Sequence, residues 1–318
     1  MPVGLEDDDD LTARTVDAAT PRPVPWGGLV AHLRASTAWR RVVPASLVMA
    51  VTGVAVRLVV RLRPQRLERA RLAMAAVVGG TPREQDLPRL TRRHLIVWPQ
   101  AWETAWRPWH LRRMPVEGLD RLASVAPGRG VVLSTTHYGP PIAMAYLPRT
   151  VGPIYAAVGD HLFQSNPPGY DGHQNEHSRA MLTGGGWQLV RARGSADVFA
   201  RVLRGGGFVS LSFDVPGSAR VRFLGKTVGV KSGTARLAAD TDSVVLPAAM
   251  VRRGSGWAVH IDEPIDPRDH PTWESVLQAT ADVHSRLVLA APEYLESPLR
   301  EGGWAAATAD GWHAKAGS

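Results

Sequence analysis

Short apolar runs alternate with amphipathic stretches from about residue 116 onward. The runs fall at 131–135, 153–158, 187–190, 208–213, 244–250 and 257–261. They are short enough for strands and rich enough in Val, Ile, Leu and Phe for strands buried on both faces. Between them lie 140–147, 174–183, 195–204, 232–240 and 272–290, whose patterning suits helices. This alternation predicts an α/β fold, a mostly parallel central sheet flanked by helices.

Upstream, the pattern is helical. Residues 42–60 form the most apolar stretch, and only fifteen residues separate Arg41 from Arg57, short of the ~20 that span a bilayer. That leaves two readings, an interfacial or partly inserted helix and a buried helix of the soluble core. Residues 64–79 and 83–98 predict two more helices, the second ending near Pro99. Trp98, Trp102, Trp106 and Trp109 recur as one helical stripe, suited to core packing first, then to a membrane interface or stacking on bases.

The organisation expected is an acidic, Pro-rich tail over 1–25 and a basic helical region over 26–115. A catalytic α/β core over 116–300 and a flexible Gly/Ala-rich tail over 301–318 follow. The acidic start, with no prompt apolar core, argues against a secretory signal.

Charge sharpens this picture. Residues 26–115 hold sixteen arginines against Glu68, Glu84, Asp86 and Glu103, a local net of +12 within an overall +8. Such an excess attracts polyanions, either anionic lipid headgroups or nucleic acid. The chain has no cysteine, which excludes disulfides, thiolate metal sites and cysteine nucleophiles.

The candidate chemistry begins where the run Val131-Val132-Leu133-Ser134-Thr135-Thr136 empties into His137, followed by Tyr138-Gly139-Pro140-Pro141. Strand ends that release a polar side chain into a turn are where α/β folds place their sites. A histidine there can serve as a general base, or simply cap the turn.

Val116-Glu117-Gly118-Leu119, Gly128-Arg129-Gly130-Val131-Val132-Leu133 and Thr136-His137-Tyr138-Gly139 follow one another along the chain. Arg179 then precedes Gly186-Trp187-Gln188-Leu189, and Leu203-Arg204-Gly205-Gly206-Gly207 precedes the run to Phe213. Asp214-Val215-Pro216-Gly217, Phe223-Leu224-Gly225 and Ala235-Arg236-Leu237-Ala238 come next, leading to Val244-Val245-Leu246-Pro247. In this order the segments, over roughly residues 30–300, resemble the glycerolipid acyltransferase superfamily, in its late lipid A acyltransferase and phosphatidylinositol mannoside acyltransferase branch.

The family pairs its histidine with an acid five positions on, and this chain has Ile142 there. Isoleucine cannot orient an imidazole. Asp214 is the candidate replacement, in a turn after a strand on the sheet edge where His137 emerges, although an Asx turn before Pro-Gly fits it equally. Asp160 and the stretch from Asp171 through His173 and Glu176 to His177 hold further carboxylates and histidines. His173 and His177 have the spacing of a helical metal pair but no predictable third ligand, so a solvated loop is the expectation. Lys231-Ser232-Gly233-Thr234 opens a helix and could hold a phosphate, without the glycines of a P-loop.

The resemblance implies transfer of an acyl group from acyl-CoA or an acyl carrier protein to a hydroxyl or amine, with neither cofactor nor metal. His137 would be the base and Asp214 its orienter. Tyr138 and Gly139 would line the substrate, backbone N–H groups near Gly139 would hold the oxyanion, and Arg179, Lys231 and Arg236 would contact an anionic substrate group. The basic region would sit on the inner face of the cell membrane, in the cytoplasm. A second reading replaces the donor with an aminoacyl ester on tRNA and the acceptor with a small molecule. A third is a lipid-binding descendant that has lost its chemistry.

Overall fold

The computed structural model describes residues 36–140, 142–159, 162–163, 170–254 and 256–296. The expected tails at 1–25 and 301–318, and Asp160, lie outside the described residues. The chain begins with helices α1 (Ala38–Val42), α2 (Ala45–Leu62), α3 (Pro64–Val78), α4 (Leu87–Ala105) and α5 (Pro108–Leu111). A short strand β1 (Val116–Glu117) and helix α6 (Leu119–Ala123) lead to β2 (Val131–Thr135), α7 (Pro148–Val151) and β3 (Ile154–Val158). Then come α8 (Tyr170–Gly185), β4 (Trp187–Arg191), α9 (Ala196–Arg204), β5 (Phe208–Ser212) and the hairpin β6 (Pro216–Phe223) and β7 (Lys226–Val230). The described chain closes with α10 (Gly233–Asp240), β8 (Val244–Arg253), β9 (Gly256–Ile261) and α11 (Trp273–Ala290).

Seven strands form one sheet in the order β1-β9-β8-β2-β5-β3-β4. Every neighbouring pair is parallel except β8 with β9, which makes this the mostly parallel sheet flanked by helices that the alternation predicts. The β2 run is buried along Val131–Ser134, as a central parallel strand covered on both faces requires. Helix α9 turns Val198, Phe199, Val202 and Leu203 inward. Helix α11 is started by a capping box, Thr272 accepting from the Ser275 backbone while Ser275 accepts from the Thr272 backbone.

The connection from β2 runs past β5 to β3, whereas the connection from β5 returns across β2 to β8. Between β2 and β5 the winding therefore reverses, and a crevice opens beyond their carboxyl ends. The helical region shares the core: Met74, Val77, Val78, Leu90 and Val97 pack in the same buried cluster as the strands.

Three expectations need correction. Helix α4 does not end near Pro99 but runs through it to Ala105. The ring removes one hydrogen bond, and burial of Val97, Ala101 and Ala105 on either side holds the helix together. The tryptophans do not share one helix, because Trp106 caps α4 and Trp109 lies on α5. In place of the helix expected over 140–147, the described residues 142–147 hold only a 3-10 segment at Ala143–Tyr146, and a proline at 140 cannot donate to a helical ladder.

Candidate functional site

The β2–β5 register pairs Val131 with Phe208 and Thr135 with Ser212. Carried two residues further, it sets His137 opposite Asp214. The ladder continues with the Phe213 N–H donating to the Thr135 carbonyl at 2.7 Å. Beyond it, His137 Nδ1 lies 2.8 Å from Asp214 Oδ1 and the His137 backbone N–H donates to Oδ2 at 3.0 Å. A carboxylate only accepts, so Nδ1 carries the hydrogen and Nε2 keeps the lone pair.

Asp214 is buried while the His137 side chain is half exposed, 5% against 47%. Burial alone would raise the Asp214 carboxyl. The charge of the His137 imidazole and its two hydrogen bonds outweigh that, so the carboxyl sits below its ordinary value. It is the ionised partner an imidazole base needs.

His137 borders a cavity of about 440 Å³, and Asp214 lies outside its lining. Its floor is the carboxyl edge of the sheet, with Thr135, Ser210, Ser212 and Ala156–Val158. Its walls are Gln174, Asn175, Ser178 and Leu182 of α8, Trp98 and Trp102 of α4, and Trp187. Close approach makes this shape: a Cβ on Gly185, at the end of α8, would fall 1.7 Å from the Ala145 carbonyl oxygen. Gly139 has φ +79°, and a Cβ there would fall 2.6 Å from Met250 Cβ. Ile142 adopts φ +51° on the cavity rim, a left-handed conformation costly for a β-branched residue.

Tyr138 and Gly139 line the cavity, but their backbone donors are engaged. The Tyr138 N–H donates to the Thr136 carbonyl at 2.8 Å and the Gly139 N–H to the Tyr294 carbonyl at 2.9 Å. They are therefore not available to an oxyanion in this arrangement. The Tyr138 hydroxyl donates to the Ala291 carbonyl, and burial pushes it above its ordinary value.

The three expected anion contacts lie elsewhere. Among the described residues no lysine or arginine lines the cavity. Arg179 sits on α8 outside the lining and accepts, through its carbonyl, from the Thr183 hydroxyl. Lys231 is exposed, its N–H donating to the Val215 carbonyl, and Arg236 stacks over Trp273 at 4.3 Å. His177 packs rather than ligates: Nε2 lies 2.9 Å from the Ala105 carbonyl and its ring stacks on Trp106. No group of three metal-binding side chains occurs among the described residues.

Sequence reasoning missed the hydroxyls of Ser210 and Ser212. Serines at period two inside an apolar central strand were the available signal that one face opens on a cavity. It also missed His284 of α11, fully buried, with Nε2 3.0 Å from Ser134 Oγ and its ring stacked on Phe213.

No family model matches the chain, and no curated protein matches it. Among solved structures it is similar to the 1-acyl-sn-glycerophosphate acyltransferase PlsC of Thermotoga maritima, at 14% identity and a TM-score of 0.39. The match covers 78% of this chain and 97% of that one. That likeness is too distant to bear on activity.

Proposed function

We propose that this protein is an acyltransferase in which His137 is the general base and Asp214 orients it. The observation that carries the reading is the His137–Asp214 pair at the mouth of a cavity, at the crevice between β2 and β5. His137 Nε2 removes the proton from an acceptor hydroxyl or amine as that group attacks the acyl carbonyl. The tetrahedral intermediate collapses, the bond to the thiolate breaks, and the thiolate takes the proton back from the imidazolium. Asp214 stabilises the imidazolium in between.

The acceptor end that enters the cavity is read as free of phosphate. A phosphate there would face Glu296 and no cation among the described residues. The lining of neutral hydroxyls and amides with three tryptophans suits a small polar acceptor instead. Against a descendant without chemistry speaks the Asp214 carboxylate, which follows β5 and stands beside the imidazole where Ile142 cannot.

The test is donor cleavage by wild type and His137→Ala with acyl-CoA, acyl carrier protein and aminoacyl-tRNA donors. Cleavage of a thioester, lost in the variant, supports this reading. Cleavage of the tRNA ester alone keeps the base and changes the donor. Equal cleavage by both proteins overturns it.

A further inference from the structure

Attack on an acyl carbonyl turns its oxygen into an anion, and donors aimed at that oxygen usually lower the barrier more than any other single contact. The main chain from His137 to Pro140 has none to give. The His137 N–H donates to Asp214 Oδ2 at 3.0 Å, the Tyr138 N–H to the Thr136 carbonyl and the Gly139 N–H to the Tyr294 carbonyl. Pro140 has no N–H. Among the described residues no lysine or arginine lines the cavity to take their place.

The strands behind the base do carry donors. Thr135 of β2 pairs with Ser212 of β5 in the ladder, each two residues before the member of the pair that its strand delivers. Residues two apart share a face of the sheet, so the two hydroxyls stand roughly 7 Å behind His137 and Asp214 along the strands. Both residues line the same cavity as His137. Among the described residues neither hydroxyl makes a hydrogen bond to the protein, and neither oxygen is sealed from solvent. Each can therefore donate to a ligand without giving up a bond it already makes. The Thr136 hydroxyl differs, because its Oγ1 is shut away from solvent.

We propose that the Thr135 and Ser212 hydroxyls form the oxyanion site of the acyl transfer assigned to His137 and Asp214. The inference rests on that assignment. As the acceptor atom bonds to the acyl carbon, the carbonyl π pair moves onto the oxygen, and both hydroxyls donate to it while keeping their protons. When the bond to the thiolate breaks, that pair returns and the carbonyl re-forms. One ladder fixes the base, its acid and both donors, so no group has to reorganise at the moment of reaction. The side chains of Gln174, Asn175 and Ser178 on the α8 wall are left for the acceptor.

The experiment measures short-chain acyl-CoA cleavage by wild type, Thr135→Val, Thr135→Ser, Ser212→Ala and His137→Ala, with thermal midpoints to check folding. Thr135→Val and Ser212→Ala each lower kcat roughly a hundredfold and leave the donor KM within roughly twofold. Thr135→Ser, which keeps the hydroxyl, restores most of the rate. A trifluoromethyl ketone matching the acyl chain hydrates to a tetrahedral adduct, and its inhibition weakens in each variant by the factor that kcat falls. A merely structural role would not couple the two. Wild-type kcat in either Thr135→Val or Ser212→Ala overturns the proposal, as does undiminished ketone inhibition in a slowed variant. Either result, with His137→Ala inactive, leaves the base in place. No cleavage by wild type, or equal cleavage by wild type and His137→Ala, overturns the thioester reading and this inference with it.

Discussion

His137 and Asp214 stand opposite each other because their strands do. Seventy-seven residues separate them, and the same offset pairs every residue of β2 with its neighbour on β5. The carboxylate reaches the ring through sheet register rather than through a local helical turn. Orientation of the imidazole therefore depends on the whole β2–β5 ladder, including the hydrogen bond from Phe213 to Thr135.

The turn after His137 is set by Gly139. Its φ of +79° and the 2.6 Å approach of Met250 Cβ to the position of a side chain leave no space for alanine. Gly139→Ala is expected to cost about 2 kcal/mol in stability. It should also slow donor cleavage, since the strained turn moves His137. Chemical denaturation beside steady-state kinetics checks both effects.

His284 gives the fold a dependence on acid. Burial holds its imidazole down to about 4, against an ordinary value of 6.5, with the charges of Asp214 and Asp262 opposing the shift. The folded state keeps this ring neutral between those values while the unfolded chain takes up a proton. Stability is therefore full above about pH 6.5 and falls as pH drops toward 4, by roughly 3 kcal/mol in all. Asp214, whose carboxyl is lowered, adds stability above the ordinary carboxylate range that is lost as pH falls through its folded value. His284→Gln should flatten the thermal midpoint between pH 6.5 and 4 relative to wild type. An unchanged slope would assign the acid sensitivity elsewhere.

Glu103 holds the helical region to itself. Arg40 Nε lies 2.9 and 3.0 Å from its two oxygens and Arg107 Nη2 3.0 Å from one of them, with all three residues buried. Arg107, at the start of α5, also donates to the Arg40 and Val43 carbonyls, tying α1 to the connection between α4 and α5. Glu103→Gln leaves two buried guanidinium groups without their counter-charge, a loss of roughly 3–5 kcal/mol. Urea unfolding followed by tryptophan fluorescence measures it.

The α/β alternation was legible because central parallel strands are short and mostly apolar, as Val131–Leu133, Phe208-Val209 and Val244–Leu246 are. The β6–β7 hairpin was not. Val221 and Phe223 point inward between outward Arg220 and Arg222, a clear period of two. Its turn is Leu224-Gly225, with φ of +52° and +76°, and Leu-Gly lacks the Asn-Gly signature that marks such turns in sequence. In the site, His137 and Asp214 could be placed on one edge because each ends a strand. Arg179 and Arg236 could not be placed, since a side chain on a helix faces a cavity or solvent according to how the helix is rotated on the sheet, and Lys231 falls in the short connection between β7 and α10. Sequence spacing fixes neighbours along a helix but not that rotation.

The central claim is that His137 and Asp214 act as one unit, and a double-mutant cycle of His137→Ala and Asp214→Asn on acyl transfer tests it most directly. Each single variant is expected to lose about a hundredfold or more in kcat, with the double variant no worse than His137→Ala alone. Losses that multiply in the double variant, or full activity in Asp214→Asn, would contradict the account.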